Sequence, residues 1–231
     1  MKTIGFIGAY DKTDMLLNIA KILTVMGKNV LLVDSTLNQK ARYVVPTITP
    51  TASYITTFED IDIAVGFENR NTMENYMGLE TEELPYDIVL VDCDSIERIK
   101  DFKLETADRN YFVTSFDIYS LRKGMEILEN FQVSIKFIKV IFAKDIIKEE
   151  DDFFNYISKD YKITWSNDKI YFPLENGDTS VNEENQRLQK IRFKKLSVQY
   201  KDSIGFIVQQ ILELNSDSSV RRAMKTIEKG V

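Results

Sequence analysis

Residues 2–34 read KTIGFIGAYDKTDMLLNIAKILTVMGKNVLLVD. An apolar run (Thr3–Ile7), a short loop (Gly8–Asp11), a helical stretch (Lys12–Met26), a glycine stop (Gly27) and a second apolar run (Asn29–Val33) closing on Asp34 make a strand–helix–strand unit. Such a unit takes about 30 residues and favours parallel strands. Met15, Leu16, Ile19, Ile22, Leu23 and Met26 fall on one helical stripe. The continuous apolar second strand suits a sheet buried on both faces. In this arrangement the loop after the first strand faces a helix N-terminus, whose N–H groups and dipole favour an anion.

The loop departs from a standard phosphate cradle. G-x-x-x-x-G-K-[ST] has a glycine before its lysine. Here Gly8 opens the turn and Lys12-Thr13 supplies the Lys-Thr pair, but Asp11 stands in the second glycine's place. The loop is also roughly three residues short of that cradle. Asp11 and Asp14 flank Lys12-Thr13 with negative charge, which repels a triphosphate.

The surrounding chain repeats the alternation. Ile88–Val91 runs into Asp92-Cys93-Asp94-Ser95; Arg109–Thr114, Ile135–Phe142 and Lys169–Phe172, ending at Pro173, read as strands. Ser120–Asn130, Glu150–Ser158, Thr179–Lys190 and Asp202–Leu214 read as helices. Between Lys40 and Glu83 the pattern is broken: Tyr43–Ile48 and Tyr54–Phe58, divided by Pro46 and Pro50, and Ile61–Val65 are short strand candidates. Asn71–Met77 is a helical turn capped by Asn71 or Thr72. The pattern predicts an α/β fold, a doubly wound, mostly parallel sheet with helices on both faces. The expected organisation is one domain over 1–214 and a tail, 215–231, that is a short helix or disordered.

Composition narrows the chemistry. The chain has 231 residues, no histidine, one cysteine and a net charge of −6. That removes histidine metal sites, Ser-His and Cys-His nucleophile systems and a disulfide framework. Met1-Lys2 leads directly into a strand and no apolar run reaches the ~20 residues of a membrane span, so a cytoplasmic location is expected. Cys93 is expected to be structural. Arg187, Lys190, Arg192, Lys194 and Lys195 are read as a solvated face beside Glu183 and Glu184, making nucleic acid an unfavoured partner.

The ordered series resembles the ParA/MinD family of deviant P-loop ATPases. Lys12-Thr13 opens a helix; GKNVLLVD ends at Asp34; YDIVLVDCDS contains Asp92; ADRNYFVTSFDIYSLRKGMEIL, IKFIKVIFAKD and FPLENGD follow in order. The resemblance implies ATP or ADP with Mg²⁺ as ligands: Gly8, Asp11, Lys12 and Thr13 at the phosphates, and Thr13, Asp34 and Asp92 toward the metal, partly through water. Asp34 is the candidate catalytic residue, near the attacking water. The family's first loop lysine falls on Ile7 or Gly8, and its adenine-reading Asn on about Ala143, so this chain is identified as a degenerate member in which hydrolysis, and nucleotide binding itself, are in doubt.

The expected function is therefore a pseudo-ATPase of TadZ/CpaE-like type, a positioning or scaffold adaptor for a secretion, pilus or conjugation apparatus. It would act as a homodimer or with a protein partner, reaching the membrane through that partner. The alternatives are an active ATPase in plasmid or chromosome partitioning or in division or flagellar positioning, and a nucleotide-free structural interaction protein.

Overall fold

The computed structural model describes residues 1–48, 51–79, 83–144, 150–174 and 176–230. Eight strands form one sheet: β1 (Lys2–Ile7), β2 (Val30–Asp34), β3 (Tyr54–Phe58), β4 (Ile61–Val65), β5 (Ile88–Cys93), β6 (Arg109–Ser115), β7 (Ile135–Ala143) and β8 (Ile163–Pro173). Their order is β3-β4-β2-β5-β1-β6-β7-β8. Every pairing is parallel except β3 with β4. The sheet and its helices match the doubly wound architecture predicted above.

Strand alternation sorts the core into two layers. Val30, Leu32, Ile88 and Leu90 face one cluster, which α1 (Thr13–Val25), α8 (Val198–Leu212) and α9 (Ser218–Lys229) cover. Leu31, Val33, Val89 and Val91 face the other, with α3 (Arg70–Tyr76), α4 (Ile96–Asp101), α5 (Ile118–Glu129) and α6 (Glu150–Ile157). By the same parity Asp34 and Asp92 lie on the α1 side, and β2 and β5 pair them directly.

Three local expectations are corrected. Tyr43–Ile48 is not a strand; Ala41–Val44 forms a helical turn, α2. Its aromatic and β-branched residues look like a strand, but Tyr43 and Ile48 point to solvent and the neighbouring edge of β4 is taken by β3. Pro50 lies outside the described residues. The cap of α3 is Asn69, whose side chain takes the Thr72 N–H while Thr72 returns a bond to the Asn69 N–H. This is a capping box. β8 begins at Ile163 rather than Lys169: the Trp165 ring packs against Phe112, Phe137 and Phe154, extending the strand through the polar Ser166-Asn167-Asp168 segment. The tail is a helix, α9, whose Val220, Ala223, Met224 and Ile227 enter the core against α1 and α8. α7 (Asn176–Leu188) completes the set. Among the described residues no helix is long and apolar enough to cross a membrane.

Candidate functional site

The carboxyl ends of β1, β2 and β5 open onto a cavity of about 340 Å³ lined by the β1–α1 loop, the segment after β2, and Asp92 and Asp94. The loop leaves β1 at Gly8, whose φ is +142°; a Cβ there would lie 2.1 Å from the Val113 carbonyl oxygen of β6. Only glycine fits this backbone path. Chain polarity and this turn aim residues 8–12 across the sheet end.

Lys12 turns inward. It is 2% exposed; its Nζ donates to the Gly8 carbonyl at 2.8 Å and pairs with Asp92 Oδ1 at 2.7 Å. Burial pushes the Asp92 carboxyl up to about 7, with Lys12 opposing the shift and the neighbouring Asp34 charge adding to it. Both charges are out of water, so each depends on the other.

Asp11 occupies the start of α1. Its Oδ1 accepts the Thr13 N–H at 3.1 Å. Its Oδ2 pairs at 2.5 Å with Lys40, which reaches over from the segment after β2 and also meets Asp14 at 3.3 Å. Burial resists ionisation of Asp11, but Lys40 and the bonds from Thr13 hold its carboxyl below the usual range. Gln186 of α7 donates to both oxygens of Asp14, at 2.8 and 2.9 Å. An α1 N-terminus thus meets an anion from its own chain, neutralised by a lysine 29 residues away.

Asp34 is buried and accepts from its own loop: Oδ1 takes the Thr36 N–H and hydroxyl at 3.1 and 2.6 Å, and Oδ2 the Ala41 N–H at 2.9 Å. These bonds form α2 and carry Lys40 to Asp11. Asp94 accepts the Leu37 N–H at 3.0 and 3.2 Å, tying that loop to the end of β5. Ser35 donates its hydroxyl to the Asp92 carbonyl at 2.6 Å. Cys93 is buried, its thiol pushed up to about 12 by desolvation and donating to the Ser95 carbonyl at 3.2 Å, so it is not a nucleophile at neutral pH.

A second cavity of about 340 Å³ adjoins the first through Tyr10, Asp11 and Lys40, bounded by Phe142, Pro173 and α7. Tyr10 stacks on Phe142 with ring centres 4.6 Å apart. Ala143 ends the strand beside Phe142 and brings no amide to this cavity.

The structure therefore brings Gly8, Asp11, Lys12, Thr13, Asp34 and Asp92 together at one sheet end. Lys40 and Gln186 complete the cluster and were not legible in sequence, because their contacts span 29 and 172 residues. The basic residues Arg187, Lys190, Arg192, Lys194 and Lys195 stay exposed outside both cavity linings apart from Lys190, which borders a separate small one; Lys195 pairs with Glu184 at 2.8 Å.

No family model matches this sequence, and no curated protein matches it. Solved structures do match its fold. A ParA family ATPase from Chlorobium tepidum TLS is 16% identical, with 93% of this chain and 98% of that one covered and a TM-score of 0.58. A Cyanothece McdA variant in complex with ATP is 10% identical, covering 94% and 98%, with a TM-score of 0.55. The MinC:MinD cell division protein complex of Aquifex aeolicus is 15% identical, covering 97% and 96%, with a TM-score of 0.50. The fold of this chain is that of ParA/MinD ATPases.

Proposed function

We propose that the chain is a ParA/MinD-type fold that has given up hydrolysis and works as a protein-docking, positioning adaptor, of the kind that serves a secretion, pilus or conjugation apparatus. One observation carries this reading: the α1 N-terminus is filled by the Asp11 carboxylate while Lys12 is consumed by Asp92. A triphosphate needs both the helix N–H groups and the lysine charge. Here it would have to displace one carboxylate and strip a second of its buried partner, beside Asp94. The donor set fits Mg²⁺ as poorly. Both Asp34 oxygens already accept bonds from Thr36 and Ala41, and Asp92 balances Lys12. A hydrated Mg²⁺ calls for free carboxylate oxygens together with substrate phosphates.

ATP bound by the neighbour McdA, and the partner carried by MinD, keep two relatives of this fold in view: a nucleotide switch and a partner platform. The internal ion pairs favour the platform. The test is phosphate release from MgATP by the wild type and by Lys12→Met. The expected result is equal, background-level release from both. Turnover by the wild type that Lys12→Met removes would overturn the reading and support an ATPase.

A further inference from the structure

The two edge strands of the sheet are built differently. β8 carries Asp168, Lys169 and Pro173, has a register shift against β7, and its Tyr171 carbonyl accepts the Ser203 hydroxyl of α8 at 2.6 Å. Charge, proline and irregularity are the usual guards against strand addition. β3, at the other end of the sheet, has none of them. Tyr54–Phe58 reads YITTF: β-branched and aromatic throughout, uncharged, and in unbroken register with β4.

The hairpin fixes which backbone groups face outward. Phe58 and Ile61 flank the Glu59-Asp60 turn and pair with each other. In a two-residue hairpin these residues exchange both bonds, and bonded pairs recur at every second position, Thr56 with Ile63 and Tyr54 with Val65. The N–H and C=O of Ile55 and Thr57 therefore point away from β4. Among the described residues neither makes a backbone bond on that side. Thr57 is exposed, and Ile55 and Thr56 are half-buried.

The two ends of this edge differ in charge. Lys21 meets both carboxylates of the turn, Glu59 at 3.1 Å and Asp60 at 3.3 Å, and the Asp60 side chain is 87% exposed. At the start of β3, Arg42 donates to the Thr51 and Ala52 carbonyls at 3.0 and 2.6 Å and pairs with no carboxylate among the described residues.

We propose that β3 is a dimer edge: a second copy of this chain adds its own β3, antiparallel, across a two-fold axis at Thr56. This register pairs both outward residues within the strand, Ile55 of each copy with Thr57 of the other, and each pair exchanges both its bonds. It sets Thr56 opposite Thr56 and brings Asp60 of one copy beside Ala52 of the other, where Arg42 stands. A two-fold interface must be self-complementary. This strand supplies both halves, an acidic turn and a cationic start. The pairing uses neither Lys12 nor Asp11, so it stands apart from the adaptor reading.

Sedimentation equilibrium of the full chain tests it, alongside Thr57→Pro. Proline at an outward position removes the N–H that the second copy needs and none that β4 uses. Thr57→Lys keeps the N–H and sets a charge beside the axis, and serves if proline disturbs the hairpin. Both give up the Thr57 hydroxyl bond to Asp62 at 2.6 Å, so urea unfolding checks that each folds. The expected result is a wild-type dimer whose dissociation constant rises about tenfold or more in a folded variant. Cysteine pairing fixes the register. Across the axis the Thr56 Cα atoms would lie about 4.5 Å apart, within disulfide reach, whereas the two Asp60 residues would lie roughly 25 Å apart. Thr56→Cys gives up a 3.5 Å hydroxyl contact to the Pro46 carbonyl and should oxidise to a covalent dimer; Asp60→Cys should not. Cys93 is buried and takes no part. A wild type that stays monomeric at high micromolar concentration, a dimer that a folded variant leaves intact, or equal cross-linking at Thr56 and Asp60 would overturn the proposal. So would a dimer that forms only with MgATP and needs Lys12, since the second copy would then sit at the other site.

Discussion

Replacing Lys12 with methionine is expected to destabilise the folded chain by about 3–5 kcal/mol at about pH 8, read from urea unfolding. The cost comes from what remains. Asp92 is 3% exposed and its charge is balanced at 2.7 Å by Lys12, its one ion-pair partner among the described residues. Removing one member of a buried pair strands the other, which loses its hydration without recompense. The penalty should shrink on acidification. In the variant the native Asp92 carboxyl titrates even higher than the value of about 7 that burial already imposes. Below an unfolded pKa of roughly 4 the group is protonated in both states and costs little. As pH rises from there through the native value, the unfolded chain releases a proton that the native chain retains, and stability falls. The difference between wild type and variant should therefore be widest in alkali. A phosphate-binding lysine that waits for its ligand would behave otherwise: its loss would weaken nucleotide binding and leave the apo stability nearly flat with pH.

The second large effect is expected at Gly8. Gly8→Ala should cost about 3 kcal/mol or more by the same measurement. Its φ of +142° lies where a side chain is strained, and the new Cβ would meet the Val113 carbonyl oxygen at 2.1 Å. Val113 lies within β6, which pairs with both β1 and β7, so the backbone there has no room to yield. Gly27→Ala supplies the comparison. Gly27 also has positive φ, +80°, but a Cβ there meets nothing within 4 Å. Its cost should stay at about 1–2 kcal/mol, the left-handed penalty alone. The gap between the two isolates the close approach of the loop to β6, which fixes the cavity floor.

The sequence carried the central sheet well, for a physical reason. β2 and β5 are buried along their whole length and read as apolar runs that reach an aspartate at the carboxyl end, Asp34 and Asp92, while β1 is buried from Ile4 onward and turns at Gly8. Parallel strands share their carboxyl ends, and the family resemblance implies Lys12, Asp34 and Asp92 at that end, where β2 and β5 pair the two aspartates. Between Lys40 and Glu83 the strands Tyr54–Phe58 and Ile61–Val65 were legible from their apolar and β-branched runs, and the turn before them resisted because bonds seven to ten residues away shape it. α2 exists because Asp34 accepts the Ala41 N–H, and Arg42 clasps the Thr51 and Ala52 carbonyls. The β3–β4 hairpin turns at Glu59 and Asp60, both with positive φ (52° and 65°), where Asn-Gly is the usual signal. The lock on the site was hidden for the same reason. Asp11 was legible as a misplaced charge beside the Lys-Thr pair, but nothing local announces that Lys40 will neutralise it or that Gln186 will hold Asp14.

A site closed by its own side chains, with Asp11 held by Lys40 and Lys12 by Asp92, should take up no nucleotide. The most direct measurement is a calorimetric titration of MgATP into the wild-type chain, with Lys12→Met alongside. No saturable heat is expected from either protein up to millimolar nucleotide. Micromolar binding by the wild type that Lys12→Met abolishes would contradict it, and would mean that nucleotide displaces Asp11 and draws Lys12 away from Asp92.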